Sequence, residues 1–229
     1  MQSIKEAFTD IDILAHASPG TYAALAAHGQ IKRLKKDEHL FWERDEMEYF
    51  YFSIQGMFSL YKLSSFGGRR VLFLYESGNM LNEELVQGGP ASIHCQALSD
   101  SAVLSFPRQV FMDAMAADWE LCRAVMDSMA HKVRRLYRQL KNTTGSIRGD
   151  KKIAAKLWKL SRDHGFACKD GTLIGLDLSI TYLADMLGMK RETVSRQMKL
   201  LMECGLVMQK NRHFIIPDRD KLQEYFKYS

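Results

Sequence analysis

Three patterns of hydrophobic and polar residues follow one another along the chain. The first, from about residue 28 to residue 106, consists of short runs of β-branched and aromatic residues separated by turn signals. Many short strands at this spacing are typical of a β-sandwich or β-roll. The predicted strands occupy Tyr49–Ile54, Met57–Leu63, Arg70–Leu74, Ile93–Ala97 and Ala102–Phe106. The adjacent Gly67 and Gly68 predict a tight hairpin, because glycine tolerates the positive φ that such turns require.

The second pattern is helical and begins after Pro107. Its long helix is expected to have Asp118 as N-cap, a residue type that commonly caps helix N-termini. Apolar residues then recur at alternating intervals of three and four positions, at Trp119, Cys122, Met126, Met129, Val133, Leu136 and Leu140. A stripe this narrow is typical of a helix that packs along a second helix, so we expect a dimer seam. The alternative is that the stripe docks onto the preceding β-rich region, as a single amphipathic helix commonly does.

A polar stretch with a glycine follows the long helix. Residues Asn142–Ser146 therefore predict a hinge. Asp150 is the expected N-cap of a further amphipathic helix. The apolar positions of that helix are Ile153, Leu157, Trp158 and Leu160, and a turn is predicted at 169–171.

In the third pattern, Gly188 joins two short helical segments within residues 179–205. The first segment is expected to bury Leu183, Ala184 and Leu187, and the second Val194, Met198 and Leu201. A helix, a glycine turn and a second helix in this order predict a helix-turn-helix, whose second helix enters the DNA major groove. Gly205 ends the second helix, and residues 206–209 and 213–216 are predicted to form a hairpin, a wing beside the groove.

The side chains that the second helix leaves outside have the chemistry needed to read bases. Arginine can bond O6 and N7 of guanine, glutamate can accept from the amino group of cytosine, and serine or lysine can reach base or phosphate. The predicted base-reading residues are Arg191, Glu192, Ser195 and Arg196, and the predicted phosphate contacts are Lys190, Lys199, Lys210 and Arg212. Charged residues on one helix face are often only solvated, but here the complete series of elements lies within a basic region.

Charge is divided unevenly along the 229 residues. Residues 1–106 carry 9 basic and 13 acidic side chains, a net charge of −4, and residues 107–229 carry 23 and 14, a net charge of +9. Such an asymmetry indicates that the second half binds nucleic acid or another anionic surface. Double-stranded DNA is therefore the expected partner.

Several classes of protein are not expected from this sequence. Neither a signal peptide nor a membrane-spanning segment is evident, so we expect a cytoplasmic protein with no membrane partner. The four cysteines form no CxxC pair, which predicts small buried hydrophobic residues rather than a metal or redox site. Because no GxSxG, HExxH or glycine-rich phosphate loop occurs, we expect no catalytic residues and no enzyme. An enzyme with an unrecognised site is the less favoured alternative.

The run from Gly188 to Arg196 resembles the recognition-helix signature of the cyclic-AMP receptor protein and fumarate-nitrate regulator (Crp/Fnr) family of bacterial transcription regulators. The resemblance implies an α+β chain with an N-terminal antiparallel β-roll (a cyclic-nucleotide-binding-like double-stranded jelly roll), a long dimerisation helix and a C-terminal winged helix-turn-helix. The corresponding domains are 1–117 for effector sensing, 118–145 for the dimerisation helix and hinge, and 146–229 for DNA binding. The family also implies a homodimer and, if the chain is an activator, RNA polymerase as a partner.

By this resemblance, the recognition helix matches two branches of the family. Arg191, Glu192 and Arg196 match the base-reading positions of the cyclic-AMP branch, and Glu192, Ser195 and Arg196 match those of the oxygen-regulator branch. Both branches read a TGA core, so the expected half-sites resemble TGTGA or TTGAT in an inverted repeat. A regulator that binds DNA constitutively, without an effector, is an alternative.

The sensor region departs from the family pattern. Glu83 aligns with the ribose-binding glutamate, but Asn82 replaces the glycine before it and Pro90 stands where the phosphate-binding arginine belongs. A buried phosphate without its arginine is costly, so cyclic AMP is not expected. No cysteine precedes Cys95, which argues against an iron-sulfur cluster. Haem is not expected either, because a lone histidine near a strand is more often structural.

We expect a small organic effector between the roll and the long helix, and no other cofactor. The pocket candidates are Tyr75, Leu81, Glu83, Lys132 and Tyr137. Apolar walls with one or two polar groups suit a small, weakly acidic organic molecule. The Lys132-Val133 step resembles that of the family's chlorophenol-sensing halorespiratory members, which implies an aromatic acid.

Overall fold

The computed structural model describes residues 4–64, 67–144, 148–210 and 213–227. The chain divides into two compact units. One unit is formed by Met1–Lys62 and Val71–Thr143, and the other by Leu63–Arg70 and Thr144–Ser229.

Short helices precede the strands of the first unit: α1 (Ile4–Asp10), α2 (Asp12–Ala15) and α3 (Pro19–Ala26). Phe8 of α1 is buried and meets Phe106 edge-on, with ring centroids 5.7 Å apart. Ser18 caps α3 by accepting a hydrogen bond from the Thr21 N–H. The sequence patterns above do not predict these helices, because each is too short to show a helical period.

Antiparallel strands follow: β1 (Gln30–Leu34), β2 (His39–Phe41), β3 (Tyr49–Gln55), β4 (Phe58–Leu63), β5 (Arg69–Tyr75), β6 (His94–Ala97) and β7 (Ser101–Pro107). They form a three-stranded sheet in the order β1-β7-β3 and a four-stranded sheet in the order β2-β6-β4-β5. The predicted strands are confirmed to within one residue at each end, and β1 and β2 were not predicted. A short 3₁₀ turn, Glu83–Val86, lies between β5 and β6.

The apolar residues of the two sheets build two neighbouring clusters. Phe50 and Phe106 are register partners in the three-stranded sheet and are fully buried, together with Phe111 of the following helix. Phe58 and Leu60 of the four-stranded sheet are fully buried in the second cluster. The predicted antiparallel roll is therefore confirmed, because alternate strand positions fill its interior.

Two helices, α4 (Arg108–Ala117) and α5 (Trp119–Thr144), complete the first unit. Asp118 is the N-cap of α5, as predicted, because one carboxylate oxygen accepts the Leu121 N–H at 3.2 Å. The other oxygen accepts the Ser18 N–H at 2.7 Å. These hydrogen bonds, that from Ser18 foremost, lower the pKa of Asp118 below its ordinary value. Asp118 thereby ties the start of α5 to the start of α3.

One face of α5 packs against the roll and a different face carries the apolar stripe. Leu121, Ala124 and Val125 are buried in the same cluster as Phe111. The stripe is exposed in the single chain at Trp119, Met126, Met129, Val133, Leu136 and Leu140, and Cys122 is half-buried. The alternative that the stripe docks onto the β-rich region is therefore wrong.

The predicted hinge at 142–146 is partly wrong. Helix α5 continues through Asn142 and ends at Thr144, because the helical hydrogen bonding of the long helix overrides the weak propensity of asparagine and threonine. Residues 145–147 lie outside the described part of the chain.

The second unit contains α6 (Gly149–Asp163), β8 (Gly165–Cys168), β9 (Gly171–Ile174), α7 (Ile180–Leu187), α8 (Arg191–Glu203), β10 (Met208–Lys210), β11 (His213–Ile216) and α9 (Arg219–Lys227). Its strands form an antiparallel sheet in the order β10-β11-β9-β8. Ile153, Leu157 and Leu160 of α6 are buried as predicted, and Trp158 is half-buried. The predicted turn at 169–171 connects β8 to β9.

The sequence predicted Asp150 as the N-cap of α6, and this prediction is wrong. The N-cap is Arg148, and Asp150 lies in the first turn of the helix with its side chain buried. The Tyr225 hydroxyl of α9 donates to the Asp150 carboxylate at 2.5 Å, and the Arg148 guanidinium lies 3.0 Å from the same oxygen. Asp150 therefore connects the two ends of this unit's sequence.

Candidate functional site

Helices α7 and α8 form the predicted helix-turn-helix. Ser179 caps α7 by accepting the Tyr182 N–H at 3.0 Å. Gly188 ends α7 with a φ of 62°, a left-handed conformation that favours glycine, and its N–H bonds the Ala184 carbonyl. The chain then enters α8 at Arg191. The predicted glycine turn between the two helices is confirmed.

The inward-facing residues fix α8 against the body of the unit. Five of the six predicted inward residues are buried: Leu183, Ala184, Val194, Met198 and Leu201. Leu187 is only half-buried, and Met186 takes the buried position at the end of α7 instead. Because these contacts hold one face of α8, the opposite face is presented in a defined orientation.

The exposed face of α8 carries the predicted base-reading residues. Arg191, Glu192, Ser195 and Arg196 are all exposed and lie in the first two turns. Within the described ranges, neither Arg191 nor Arg196 has a side-chain hydrogen bond or ion pair. The N-terminal half of α8 therefore offers free donors on one side.

The predicted phosphate-contacting residues that the structure describes lie along α8 and at the end of β10. Lys190 is exposed at the N-cap of α8, and Lys199 lies 3.8 Å from Glu203 on the same helix. Lys210 ends β10 and forms an ion pair with Asp170 at 3.3 Å. Arg212 lies outside the described residues.

The predicted wing is present. Strands β10 and β11 pair antiparallel, with Lys210 opposite His213. Gly205 follows the end of α8 with a φ of 67°, and its N–H donates to the Met202 carbonyl at 3.0 Å. This left-handed residue turns the chain from the recognition helix toward the wing.

In the sensor unit, Glu83 is already engaged by residues of α5. Its side chain is buried, the Ser128 hydroxyl donates to one oxygen at 2.8 Å, and the Lys132 ammonium pairs with the other. Lys132 also donates to the Leu81 carbonyl at 3.3 Å. The carboxylate is thus satisfied from within the chain.

The neighbouring Asn82 has a structural role. Its buried side chain accepts the Tyr51 N–H and donates to the Tyr49 carbonyl, both at 2.9 Å. The amide thereby pairs with the edge of β3 in the manner of another strand. The sequence signal for this role was that Asn82, whose side-chain amide has one donor and one acceptor group, stands where the family pattern has glycine.

A cavity of about 450 Å³ lies between α2, the loop before the 3₁₀ turn, and α5. Tyr75 and Lys132 line it, as predicted. The prediction is wrong for Leu81, Glu83 and Tyr137, which are outside the lining: Leu81 and Glu83 are buried, and Tyr137 is 68 % exposed. Arg135, which was not among the predicted pocket residues, faces the cavity from the next turn of α5 after Lys132.

Two sequence profiles match the chain. The Crp-like helix-turn-helix domain matches residues 151–225, and the cyclic nucleotide-binding domain matches residues 31–118. The chain belongs to the Crp/Fnr family of transcription regulators. Its fold and its DNA-binding helix-turn-helix are therefore those of a Crp/Fnr transcription regulator.

Individual Crp/Fnr relatives align over most of their length. A protein of Rhizobium leguminosarum bv. viciae named "Probable transcriptional activator" is 26 % identical over 207 residues, which cover 90 % of this chain and 85 % of that protein. The fumarate and nitrate reduction regulatory protein of Escherichia coli K12 is 21 % identical over 210 residues, which cover 84 % and 77 %.

Solved structures share the fold. FixK2 from Bradyrhizobium japonicum superposes with a TM-score of 0.74 at 23 % identity, covering 88 % of this chain and 98 % of that one. The c-di-GMP-responsive global regulator CLP of Xanthomonas campestris gives a TM-score of 0.78 at 19 % identity, covering 88 % and 100 %. At these identities the structures establish the shared Crp/Fnr architecture.

At the nucleotide-contacting positions implied by the Crp/Fnr resemblance, polar groups are paired with other groups of the chain. Lys132 and Ser128 occupy the carboxylate of Glu83, which would otherwise bind ribose hydroxyls. At the phosphate end, the Ala91 N–H donates to the Asp45 carbonyl at 2.9 Å and the Ser92 hydroxyl to Glu84 at 3.2 Å. The polar groups at the ribose end and at the phosphate end are thus hydrogen-bonded or ion-paired to other residues of the chain.

The cysteines and other candidate sites have ordinary surroundings. Cys95 is buried as predicted and Cys122 is half-buried, but Cys168 and Cys204 are exposed, so the prediction of buried cysteines is wrong for those two. Cys168 ends the largely exposed strand β8, and Cys204 is the C-cap of α8. In the described ranges no three histidine, cysteine or acidic side chains are placed to hold a metal ion. None of the helices found there is long and apolar enough to cross a membrane.

Proposed function

We propose that the chain is an effector-responsive regulator that binds, as a homodimer, an inverted repeat of TGTGA-like or TTGAT-like half-sites. The observation that carries the proposal is the exposed first half of α8 with Arg191, Glu192, Ser195 and Arg196 on one face. Two arginines can each bond O6 and N7 of a guanine, and glutamate can accept from a cytosine amino group. A TGA core paired with TCA on the opposite strand offers both types of base.

The exposed stripe of α5 supports the dimer. Trp119 and Leu140 at its two ends are 65 % and 64 % exposed in the single chain. Parallel pairing of two copies along the stripe buries these residues by knobs-into-holes packing. A two-fold dimer then carries two α8 helices, which suits half-sites centred about 34 Å apart, one helical turn of DNA.

The effector is proposed to be a small molecule other than cyclic AMP. A ribose at Glu83 would have to displace the ammonium of Lys132 from a buried carboxylate, and separating such a pair is costly. A nucleotide phosphate would meet no arginine at Pro90. An aromatic acid agrees better with a pocket that combines a few buried apolar residues with basic side chains.

DNA recognition is tested by fluorescence anisotropy with labelled duplexes. The duplexes carry two TGTGA or two TTGAT half-sites one helical turn apart, and the matched control has one half-site scrambled. We expect tight binding to the intact repeat of at least one type and much weaker binding to the control. Equal affinity for the intact and scrambled duplexes would reject the proposed site.

A constitutive regulator is the second candidate, favoured by the internal pairing of Glu83 with Lys132, which needs no ligand. The same anisotropy titration, repeated with a small-molecule extract of bacterial cells, separates the two candidates. Effector control predicts an affinity that changes with the extract, and constitutive binding predicts no change. Failure to bind DNA under every condition would favour the enzyme alternative.

A further inference from the structure

The cavity beside α5 has an apolar floor and a polar rim. Tyr75 and Met80 from the roll and Ile13 from α2 are buried and line it. His16 and His131 are exposed residues of the lining, and Asp12 adds an exposed carboxylate. A volume of about 450 Å³ lies within the range of small-molecule sites.

The positive charges that line this cavity are not equally compensated. Lys132 is paired with the buried Glu83, and Arg123 is paired with Glu120 at 2.6 Å and Asp127 at 3.4 Å. Arg135 is half-buried, and among the described residues no carboxylate or hydrogen-bond acceptor contacts its guanidinium. Of the lysine and arginine side chains in the described lining, Arg135 is therefore the one without an acceptor.

Aromatic rings hold the Arg135 guanidinium in place. Its central carbon lies 4.8 Å from the ring centroid of Phe73 and 5.1 Å from that of Tyr75. The two rings are stacked with centroids 5.6 Å apart and planes 9° apart. Cation–π contacts of this kind orient a guanidinium and leave its N–H donors available. Burial raises the pKa of the Tyr75 phenol, so that ring is neutral.

We propose that this cavity binds a small organic anion whose carboxylate or phosphate pairs with Arg135. The proposal rests on the proposed function, since it places the effector of the regulator at this site. Guanidinium recognises both kinds of anion with two parallel hydrogen bonds. The ring of Tyr75 and the side chain of Met80 provide an apolar surface for the remainder of the molecule. The site lies beside the Glu83 position and uses neither Glu83 nor Pro90.

The position of Arg135 connects binding to the arrangement of α5. Arg135 belongs to the helix that carries the proposed dimer seam, whereas Tyr75 and Met80 belong to the roll. An anion held between them favours the arrangement of helix and roll in which both surfaces reach it. This gives the effector a physical means of acting on the dimer.

The test uses the full chain with defined probes: benzoate, phenyl phosphate and the neutral benzamide. Binding is measured by isothermal titration calorimetry, with thermal denaturation as a second measurement. Three variants are compared with the original chain: Arg135→Gln, Arg135→Lys and the control Arg138→Gln. Arg138 is exposed on the same helix and lies outside the cavity lining, so its variant removes an equal charge elsewhere.

We expect at least one of the two anions to bind the original chain and Arg138→Gln, and benzamide to bind neither. Arg135→Gln should weaken anion binding about tenfold or more, because glutamine cannot form the charge-assisted bidentate pair. The anion affinity of Arg135→Lys should lie between those of the original chain and Arg135→Gln, since lysine keeps the charge but lacks the paired N–H donors of a guanidinium. The melting curve of each variant without probe verifies that it folds. Benzoate against phenyl phosphate distinguishes a carboxylate site from a phosphate site.

Three results would overturn the proposal: neither anion binds the original chain, Arg135→Gln binds the anion unchanged, or benzamide binds equally well. Its dependence on the proposed function is tested separately by adding the bound anion to the DNA anisotropy titration. If the anion binds through Arg135 and DNA affinity does not change, the anion site is retained and its role as effector site is rejected.

Discussion

Arg196 lies in the second turn of α8, exposed and without a side-chain partner in the described part of the chain. If it bonds a guanine of the half-site, Arg196→Ala should remove about 1–3 kcal/mol of discrimination at that base pair. Anisotropy titrations against the consensus duplex and a duplex substituted at that guanine measure the difference. Unchanged preference in the variant would refute the assignment.

Asp150 gives a prediction about acid stability. Burial alone would raise its pKa, but hydrogen bonds from Tyr225 and Arg148 outweigh this and hold the pKa below its ordinary value. A carboxyl group with a lowered pKa stabilises the fold above its unfolded pKa of about 3.9, and that contribution is lost as pH falls through the folded value.

Asp150→Asn should therefore lower the free energy of unfolding at neutral pH by about 1–3 kcal/mol, because the buried network loses its negative charge and one of its two acceptor oxygens. It should also flatten the loss of stability below about pH 4. Urea denaturation followed by circular dichroism at several pH values measures both effects. Tyr225→Phe serves as a comparison, since it removes one donor and leaves the carboxylate. If the free energy of unfolding fell equally with decreasing pH in Asp150→Asn and in the original chain, this role of the carboxylate would be contradicted.

At the scale of single residues, the sequence predicts which side chains are exposed better than it predicts which side chains contact each other. The exposed residues of α8 follow from its 3.6-residue period, and the structure places them outside. The pairing of Lys132 with Glu83 joins residues 49 positions apart, and no local pattern reveals such a contact. The contacts of Arg135 with the rings of Phe73 and Tyr75 likewise join residues far apart in the chain, and the sequence does not predict them.

At the scale of elements, the α5 stripe predicts the geometry of the dimer. In a parallel seam, Val133 of one chain lies close to Val133 of the other, whereas Arg134 points away. We expect Val133→Cys to form a disulfide-linked dimer on mild oxidation, in a background with Cys122, Cys168 and Cys204 replaced by serine. Non-reducing gel electrophoresis measures the cross-link.

The matched control is Arg134→Cys in the same background, which should remain uncross-linked because position 134 lies on the exposed polar side. Equal cross-linking at both positions, or cross-linking at Arg134→Cys alone, would contradict the seam. The cysteine left in the background, Cys95, is buried and does not interfere.

Elements marked by turn or stop signals were predicted from the sequence, and several without such signals were not. Strands β3 to β7 combine alternation with turn signals, and α7 and α8 carry glycine stops. Strand β1 is mostly exposed, so its residues show no clear alternation of buried and exposed types. The start of α6 was misplaced because Asp150 is a common capping residue, yet its carboxylate is used by Tyr225 instead.

At the scale of the whole molecule, the charge division predicts salt-dependent DNA binding. Residues 146–229 carry 16 basic and 10 acidic side chains, and a dimer doubles the net charge of +6. The logarithm of the association constant should fall linearly with the logarithm of salt concentration. Lys199→Ala should reduce the magnitude of that slope by about 0.9 for each phosphate that is no longer neutralised, and leave base preference unchanged. A variant that altered base preference instead would assign Lys199 to the bases.

The proposed function depends most on one statement, that α8 of a two-fold dimer reads a TGA-containing inverted repeat. Selection of bound duplexes from a random library by the full chain, followed by sequencing, tests this statement without assuming a site. We expect enrichment of two TGA-containing half-sites in inverted orientation, with centres about one helical turn apart. Enrichment of a single unrepeated motif, of direct repeats, or of no motif would contradict it.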